Sequence, residues 1–333
     1  MIKRLYYYWY NFIREQLASF FRLITVYELG KKPIFIFATR RGGSTLMMKL
    51  IYSQPGVDYI DLPLNLLNYH PYKNKIPRPP MKNRFIHLKQ DEEQMLIDYF
   101  NHLLEGRYML RNQCNIFDPD FSFRVNRLVI RELMAKTLID WFSKNFDIEI
   151  IYLLRHPIPT ALSNIKFGWE TTADAFLRND YFCKNLLDED KKTFGSNILK
   201  NGSPLEVYTM EWCLDNLYPL TVCKKRPWLT ITYEELILHP KEMSNLICSR
   251  FDLPDPEHMY KTLLIPTSTA PRKSREDMRA RGQKYLIERW LSQIEQKDLK
   301  KIDTLLKTFE IKAYNAYTPY PAKELCHFGS LEG

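Results

Sequence analysis

The stretch PIFIFATRRGGSTLMMKLI, residues 33–51, decides the fold of this chain, because it combines an apolar run, a basic turn with two glycines and a helical pattern. The apolar run is typical of a buried strand. Backbone N–H groups at the start of a helix have no intrahelical partner and lie at the positive end of the helix dipole. A tight turn at that point binds anions. The stretch therefore predicts a strand, a phosphate-binding turn and a helix.

The residues of the turn have the side chains that an anion site needs. Two glycines let the backbone approach an anion closely, two arginines add charge, and a serine and a threonine are expected to cap the helix and to donate from their hydroxyl groups. A Walker A loop would carry a lysine directly before the hydroxyl residue. Because a glycine stands there, a protein that uses ATP or GTP is disfavoured. The residues are Arg40, Arg41, Gly42, Gly43, Ser44 and Thr45.

Length, composition and charge bound the class of protein. The chain has 333 residues, of which 45% are hydrophobic, and no Gly/Ser linker divides it, so we expect one domain with insertions. The formal net charge of +9 suits an anionic ligand or an anionic surface. No nucleic-acid-binding motif accompanies this charge, so nucleic acid is not an expected partner.

The cysteines and histidines do not indicate a metal site. The six cysteines form no C-x-x-C pair, and the seven histidines form no H-E-x-x-H or similar cluster. Cysteines without a framework spacing are typical of reduced thiols, which favours a cytoplasmic protein.

Residues 1–30 form an aromatic and basic segment. Charged residues interrupt every apolar run long enough to span a membrane, and no cleavage site of signal type is present. Apolar residues recur at helical spacing, which predicts an amphipathic helix. We favour a helix packed on the core of the same domain; the alternative is a helix within residues 1–28 that binds the cytoplasmic face of a membrane or a partner. The apolar positions are Tyr6, Trp9, Ile13, Leu17, Phe20 and Ile24.

Strand and helix patterns alternate along the rest of the chain. Such alternation predicts an α/β fold with three layers, in which a central parallel sheet has helices on both faces. We expect one domain over residues 31–315, with helical insertions at about 62–125 and 165–225, and a tail at 316–333. The strand candidates are residues 33–38, 57–61, 126–131, 149–154 and 228–233.

A second strand also ends in a charged turn that leads into a helix. This segment is EIIYLLRHPIPTALSNI, residues 149–165, in which Arg155 ends the strand and Ser163 follows eight residues later. An arginine and a hydroxyl held in this way can bind a second phosphate through charge-assisted hydrogen bonds.

Together the two segments resemble the sulfotransferases that use 3′-phosphoadenylyl sulfate (PAPS), in particular bacterial members with an R-H-P-I turn. In that family a loop of the R-S-G-S-T or K-S-G-T-T kind binds the 5′-phosphosulfate, and an R-[DH]-P turn with a serine eight residues later binds the 3′-phosphate. The segment WLTITYEELILHP, residues 228–240, is similar to the family's Y-E-D-L segment, whose tyrosine lies near the adenine. The resemblance implies a P-loop-like fold over about residues 32–315. The donor-binding residues that it implies are Arg40, Arg41, Gly42, Gly43, Ser44, Thr45, Leu46, Arg155, Ser163 and Tyr233.

One more segment is similar to the family but departs from its pattern. Cytosolic members close over the 3′-phosphate with an R-K-G loop, whereas this chain has TSTAPRKSRED at 267–277, without the glycine. The resemblance implies Arg272, Lys273 and Ser274 as the equivalent residues.

The resemblance also implies catalytic roles. Arg41 is the candidate that neutralises charge on the leaving phosphate. Glu132 stands at the strand end where the cytosolic enzymes have a catalytic histidine, so it is the position-matched base, and His87 is the alternative base.

The implied activity is sulfuryl transfer from PAPS, without a metal, to a hydroxyl or an amine of a carbohydrate, lipid or small-molecule acceptor. The product would be adenosine 3′,5′-bisphosphate. The alternatives are a P-loop kinase-like phosphotransferase and a non-catalytic nucleotide-binding protein. Neither the acceptor nor the oligomeric state follows from the sequence.

Overall fold

The computed structural model describes residues 24–65, 84–107, 119–265 and 284–329, together with the single residues 9, 13, 20, 76, 282 and 331. The strands are β1 (Val26–Tyr27), β2 (Ile34–Ala38), β3 (Val57–Asp61), β4 (Arg124–Val125), β5 (Arg127–Glu132), β6 (Glu149–Leu154) and β7 (Leu229–Thr232). All five strand candidates of the sequence are confirmed to within one or two residues.

Helices connect and surround these strands. The α-helices are α1 (Ser44–Tyr52), α2 (Gln90–Leu104), α3 (Ile139–Asn145), α4 (Pro157–Lys166), α5 (Ala173–Leu177), α6 (Asp180–Leu186), α7 (Glu189–Asn201), α8 (Pro204–Val222), α9 (Tyr233–Leu238), α10 (Pro240–Phe251), α11 (Pro256–Leu264) and α12 (Gln296–Thr308). Short 3-10 helices lie at Lys136–Leu138, Cys223–Lys225, Leu291–Gln293 and Lys323–Leu325.

Five strands form one parallel sheet in the order β3, β5, β2, β6, β7. The two short strands β1 and β4 pair separately, also in parallel. Because parallel neighbours need a crossover connection, helices must lie on the faces of the main sheet. The predicted α/β fold with a central parallel sheet is confirmed.

The side chains of β2 alternate between two cores, one on each face of the sheet. Phe35 and Phe37 pack with residues of α2, α3 and α8. Ile34 and Ile36 pack on the other face with residues of α1 and α10. The strand is therefore apolar at every position, which is why it reads as a continuous hydrophobic run.

Strand β2 lies at the topological switch point of the sheet, where the order in which strands are added reverses. Strands β3 and β5 lie on one side of β2, and β6 and β7 lie on the other. In parallel sheets, ligands bind outside the carboxyl ends of the strands at such a switch point. The turn after β2 and the residues that follow β5, β6 and β7 meet at this edge.

The N-terminal stripe is described at four positions. Trp9, Ile13, Phe20 and Ile24 are helical and between 45% and 58% exposed. These exposures do not fit the favoured prediction that the apolar face is buried on the core of the domain. Within the described parts of the chain, no helix combines the length and the hydropathy needed to cross a membrane.

Candidate functional site

The turn after β2 begins α1 without a side-chain cap. Arg41 (φ 67°) and Gly43 (φ 92°) have a left-handed backbone. Gly43 is the N-cap residue of α1, and no side chain caps the helix there. The prediction that Ser44 and Thr45 cap the helix is therefore wrong, because they are its first residues. The first N–H groups of α1 have no acceptor within the helix and can bind an anion.

The ring of Tyr233, the first residue of α9, packs directly against this turn. A Cβ atom at Gly43 would lie 2.5 Å from Cδ2 of the Tyr233 ring. On the same ring, the guanidinium carbon of Arg155 lies 4.4 Å from the centroid, within the range of a cation–π interaction. The turn, the end of β6 and the start of α9 thus form one packed unit.

Arg41 joins the two predicted phosphate motifs. Its Nε donates to Ser163 Oγ at 2.9 Å, and Arg155 Nη1 donates to the backbone oxygen of Arg41 at 3.0 Å. Burial and the nearby Arg155 lower the pKa of Arg41. The guanidinium stays charged near neutral pH, so two cations face one another, and an anion bound between them would relieve their repulsion.

Aromatic rings cover both arginines of the turn. The guanidinium carbon of Arg41 lies 4.1 Å from the ring centroid of Phe167, and that of Arg40 lies 4.9 Å from the ring of Trp169. Gly168, between the two aromatic residues, has φ 63°. The segment after α4 therefore holds the basic side chains through cation–π contacts.

Glu132, at the end of β5, is completely buried. Its Oε1 accepts a short hydrogen bond from the N–H of Met134, and its Oε2 is buried and has no hydrogen-bond partner among the residues that the structure describes. Burial raises its pKa to about 7, although backbone N–H groups around the carboxyl act in the opposite direction. A carboxyl with this pKa can take up a proton at neutral pH.

His87, the alternative base, lies on the surface of the protein. It is exposed, and its ring stacks on that of Tyr181 in α6, with centroids 3.7 Å apart and an interplanar angle of 3°. No contact of His87 with the turn or with Glu132 is observed among the described residues.

A buried network of charged side chains lies beneath the turn. Lys136 Nζ donates to Thr39 Oγ1 and lies 2.7 Å from Asp215 Oδ2. Arg84 lies 2.8 Å from Asp215 Oδ1 and 3.1 Å from Glu211 Oε1. Burial lowers the pKa of Lys136 to about 8. No sequence pattern indicated this network, because its members lie far apart in the chain and share no motif.

A second missed feature ties α1 to β5. Arg131 donates to both carboxylate oxygens of Asp61 and to the hydroxyl oxygens of Ser44 and Thr45. The only sequence signal was the position of Arg131 at the end of a predicted strand, next to the candidate base.

The remaining predicted site residues are Leu46, Arg272, Lys273 and Ser274. Leu46 lies in the first turn of α1 and is buried in the core beneath it. Arg272, Lys273 and Ser274 lie outside the described residues. In the part of the chain that is described, no group of three or more His, Cys, Asp or Glu side chains could hold a metal ion.

Comparisons with known proteins give structural matches only. No protein-family model matches the chain, and no curated protein matches it. One similar solved structure is the sulfotransferase domain from the curacin biosynthetic pathway, with 15% identity, TM-score 0.44, and coverage of 84% of this chain and 98% of that chain. Another is mouse sulfotransferase SULT7A1 complexed with PAP, with 15% identity, TM-score 0.44, and coverage of 89% and 90%. A third is the sulfotransferase domain of the Synechococcus PCC 7002 olefin synthase, with 16% identity, TM-score 0.44, and coverage of 86% and 96%.

Proposed function

We propose that this chain is a PAPS-dependent sulfotransferase located in the cytoplasm. It transfers a sulfuryl group to a hydroxyl, or to an amine, of a carbohydrate, lipid or small-molecule acceptor and releases adenosine 3′,5′-bisphosphate. The observation that carries the proposal is the convergence of two phosphate motifs, 122 residues apart in sequence, through the hydrogen bond between Arg41 and Ser163. A donor with two separate phosphate groups needs two such adjacent subsites.

The side chains of the site fit a ligand with two anionic groups. The Nε of Arg155 is buried and has no hydrogen-bond partner among the described residues. Such an orphaned donor costs free energy unless a ligand accepts from it, and the 3′-phosphate would do so beside Ser163. The N–H groups at the start of α1 and the charge of Arg41 suit the 5′-phosphosulfate. Tyr233, stacked on Arg155, would adjoin the adenine.

The residues also suit the chemistry of the transfer. PAPS supplies the sulfuryl group, and the 5′-phosphate of PAPS is the leaving group. The acceptor oxygen forms a bond to sulfur while the bond from sulfur to the phosphate oxygen breaks. We assign Glu132 as the base that takes the acceptor proton, and Arg41 balances the charge that develops on the phosphate. Both roles are carried by protein side chains, so the step needs no metal.

The alternatives explain fewer of these features. A kinase-like phosphotransferase would need the Walker lysine directly before Ser44, where this chain has Gly43. In a non-catalytic nucleotide-binding protein the buried carboxyl of Glu132, whose pKa burial raises, would have only a structural role. We also propose Arg272, Lys273 and Ser274 as further ligands of the 3′-phosphate. Substitution Arg272→Ala is then expected to weaken binding of adenosine 3′,5′-bisphosphate and to leave binding of adenosine 5′-monophosphate unchanged.

Calorimetric titration tests the proposal most directly. We expect tight binding of adenosine 3′,5′-bisphosphate and weak binding of ATP with Mg²⁺; the opposite order would refute the sulfotransferase function. Transfer of labelled sulfate from PAPS to a panel of acceptor classes would identify the acceptor. Glu132→Gln should abolish transfer while bisphosphate binding persists, and His87→Gln should leave both intact. The reverse pattern would assign the base to His87.

The exposure of the N-terminal apolar stripe supports a separate proposal, that residues 1–28 contact a membrane surface. Ile13 and Phe20 are 54% and 58% exposed on a helix, and the surrounding segment is basic, as interfacial helices are. We expect Ile13→Ser/Phe20→Ser to reduce co-sedimentation with anionic liposomes while transfer activity persists. Equal sedimentation of both forms would argue against membrane contact.

A further inference from the structure

The side chain of Arg131 is held on one side by a carboxylate and faces the start of α1 on the other. Its Nε donates to Asp61 Oδ1 at 2.6 Å, and its Nη2 donates to Asp61 Oδ2 at 2.8 Å. The side chains of Arg131 and Asp61 are 11% and 20% exposed. A bidentate fork of this kind fixes the plane of the guanidinium. The remaining nitrogen, Nη1, therefore has a fixed direction.

Nη1 of Arg131 points at the two hydroxyl groups that open α1. It donates to Ser44 Oγ at 3.3 Å and more closely to Thr45 Oγ1. A guanidinium has no acceptor, so both hydroxyls must act as acceptors toward it. Each hydroxyl then keeps its own proton for another partner. The arrangement turns both hydroxyls into donors at the point where the helix N–H groups also lack partners.

We infer that Arg131, locked by Asp61, is a positioning residue that orients Ser44 and Thr45 to donate to the 5′-phosphate of the donor. The inference rests on the proposed function and extends it to two residues to which neither phosphate motif assigns a role. Asp61 balances the charge of Arg131, so the pair contributes orientation more than net charge. The charge itself comes from Arg41 and the helix N-terminus.

The contribution of the 5′-phosphate can be measured as a ratio of dissociation constants. Adenosine 3′-monophosphate lacks the 5′-phosphate, and adenosine 3′,5′-bisphosphate has it, so their ratio isolates the subsite at α1. In the unmodified chain we expect the bisphosphate to bind at least about tenfold more tightly, as hydrogen bonds to charged groups allow. In Arg131→Met we expect this ratio to fall about tenfold, while the affinity for the 3′-monophosphate stays the same. Asp61→Asn should give a smaller loss in the same direction.

A matched control comes from the same strand. Arg127 lies on the same face of β5, is buried, and donates to the backbone oxygens of Lys32 and Phe251. It is four residues from Arg131, or about 13 Å along the strand. Arg127→Gln should lower the unfolding temperature but leave the ratio of dissociation constants unchanged. If Arg131→Met does not fold, Asp61→Asn carries the test.

A mutant cycle separates positioning from direct contact. If Arg131 acts through the hydroxyls, then Arg131→Met should have little further effect on the ratio once Ser44→Ala/Thr45→Val has removed them. Additive losses would overturn the positioning role. An unchanged ratio in Arg131→Met would overturn it as well, with the proposed function intact. Failure of the unmodified chain to bind the bisphosphate would instead overturn the proposed function, and this inference with it.

Discussion

Substitution Gly43→Ala tests the central packing of the site, because Gly43 is constrained in two independent ways. Its φ of 92° lies in the left-handed region, which costs a residue with a Cβ about 1–2 kcal/mol. In addition, the new Cβ would lie 2.5 Å from Cδ2 and 3.0 Å from Cε2 of the Tyr233 ring. The ring must therefore move.

Movement of the Tyr233 ring would also break its stacking with Arg155, which is 4.4 Å away. Loss of that cation–π contact costs about 0.5–2 kcal/mol. Together with the backbone strain, we expect Gly43→Ala to lower the free energy of unfolding by about 2–4 kcal/mol. Because Arg155 is displaced, the affinity for adenosine 3′,5′-bisphosphate should fall at least about tenfold.

Gly106→Ala is a control for the backbone strain alone. Gly106 follows α2 with φ 73°, and its nearest neighbour would be 3.8 Å from an added Cβ, an ordinary contact. Urea unfolding should show a loss of about 1–2 kcal/mol for this variant, and calorimetry should show unchanged bisphosphate binding. Equal stability losses in the two variants, with equal affinities, would refute the proposed role of the Gly43–Tyr233 contact.

Three further predictions concern buried charge and aromatic cover. Burial raises the folded-state pKa of Glu132 from 4.5 to about 7. Its contribution to the free energy of unfolding is therefore full below pH 4.5 and is lost as pH rises through 7. Unfolding measured at several pH values should show this free energy falling by about 3 kcal/mol, and Glu132→Gln should not show the fall. Lys136→Met breaks a fully buried ion pair and should cost about 3–5 kcal/mol in urea unfolding, whereas Lys261→Met, at a pair whose two side chains are both exposed, should cost under about 0.5 kcal/mol. Phe167→Ala removes the ring over Arg41 and should weaken bisphosphate binding about two- to fivefold by calorimetry.

The fold could be predicted from the sequence because its strands are buried on both faces. A central parallel strand such as β2 contacts one core through Phe35 and Phe37 and another through Ile34 and Ile36. Every position is then apolar, and the strand stands out as a short hydrophobic run between turn residues. The two-residue strands β1 and β4 were missed, since a pairing this short leaves no periodic signal.

The part of the site that could be predicted lies within continuous segments. The turn at Arg41 and the pair Arg155 and Ser163 each occupy one strand, turn and helix unit, where local spacing is informative. Arg131 and Asp61 could not be paired in advance, because their contact depends on the register between β3 and β5. Local spacing along the chain does not indicate which residues of the two strands stand side by side.

The acidic pair after Tyr233 shows how a local pattern can conceal a long-range role. From the sequence alone, the helix dipole is a sufficient explanation of these two acids, because negative charge stabilises the first turn of a helix. In the structure, Glu234 Oε1 accepts from the N–H of His156 at 2.9 Å, and its Oε2 accepts from the Tyr314 hydroxyl at 2.9 Å. Glu234 therefore joins α9 to the residue that follows Arg155 and to the segment after α12.

The C-terminal tail completes the support of Tyr233. Glu235 Oε1 accepts from the backbone N–H groups of His327 and Phe328, and the His327 ring lies 2.8 Å from the backbone oxygen of Thr230 in β7. The tail is thus bound to the strand and the helix on either side of Tyr233. Since the Tyr233 ring contacts the glycine turn directly, a segment without any recognisable motif helps to fix the geometry of the anion site from the opposite end of the chain.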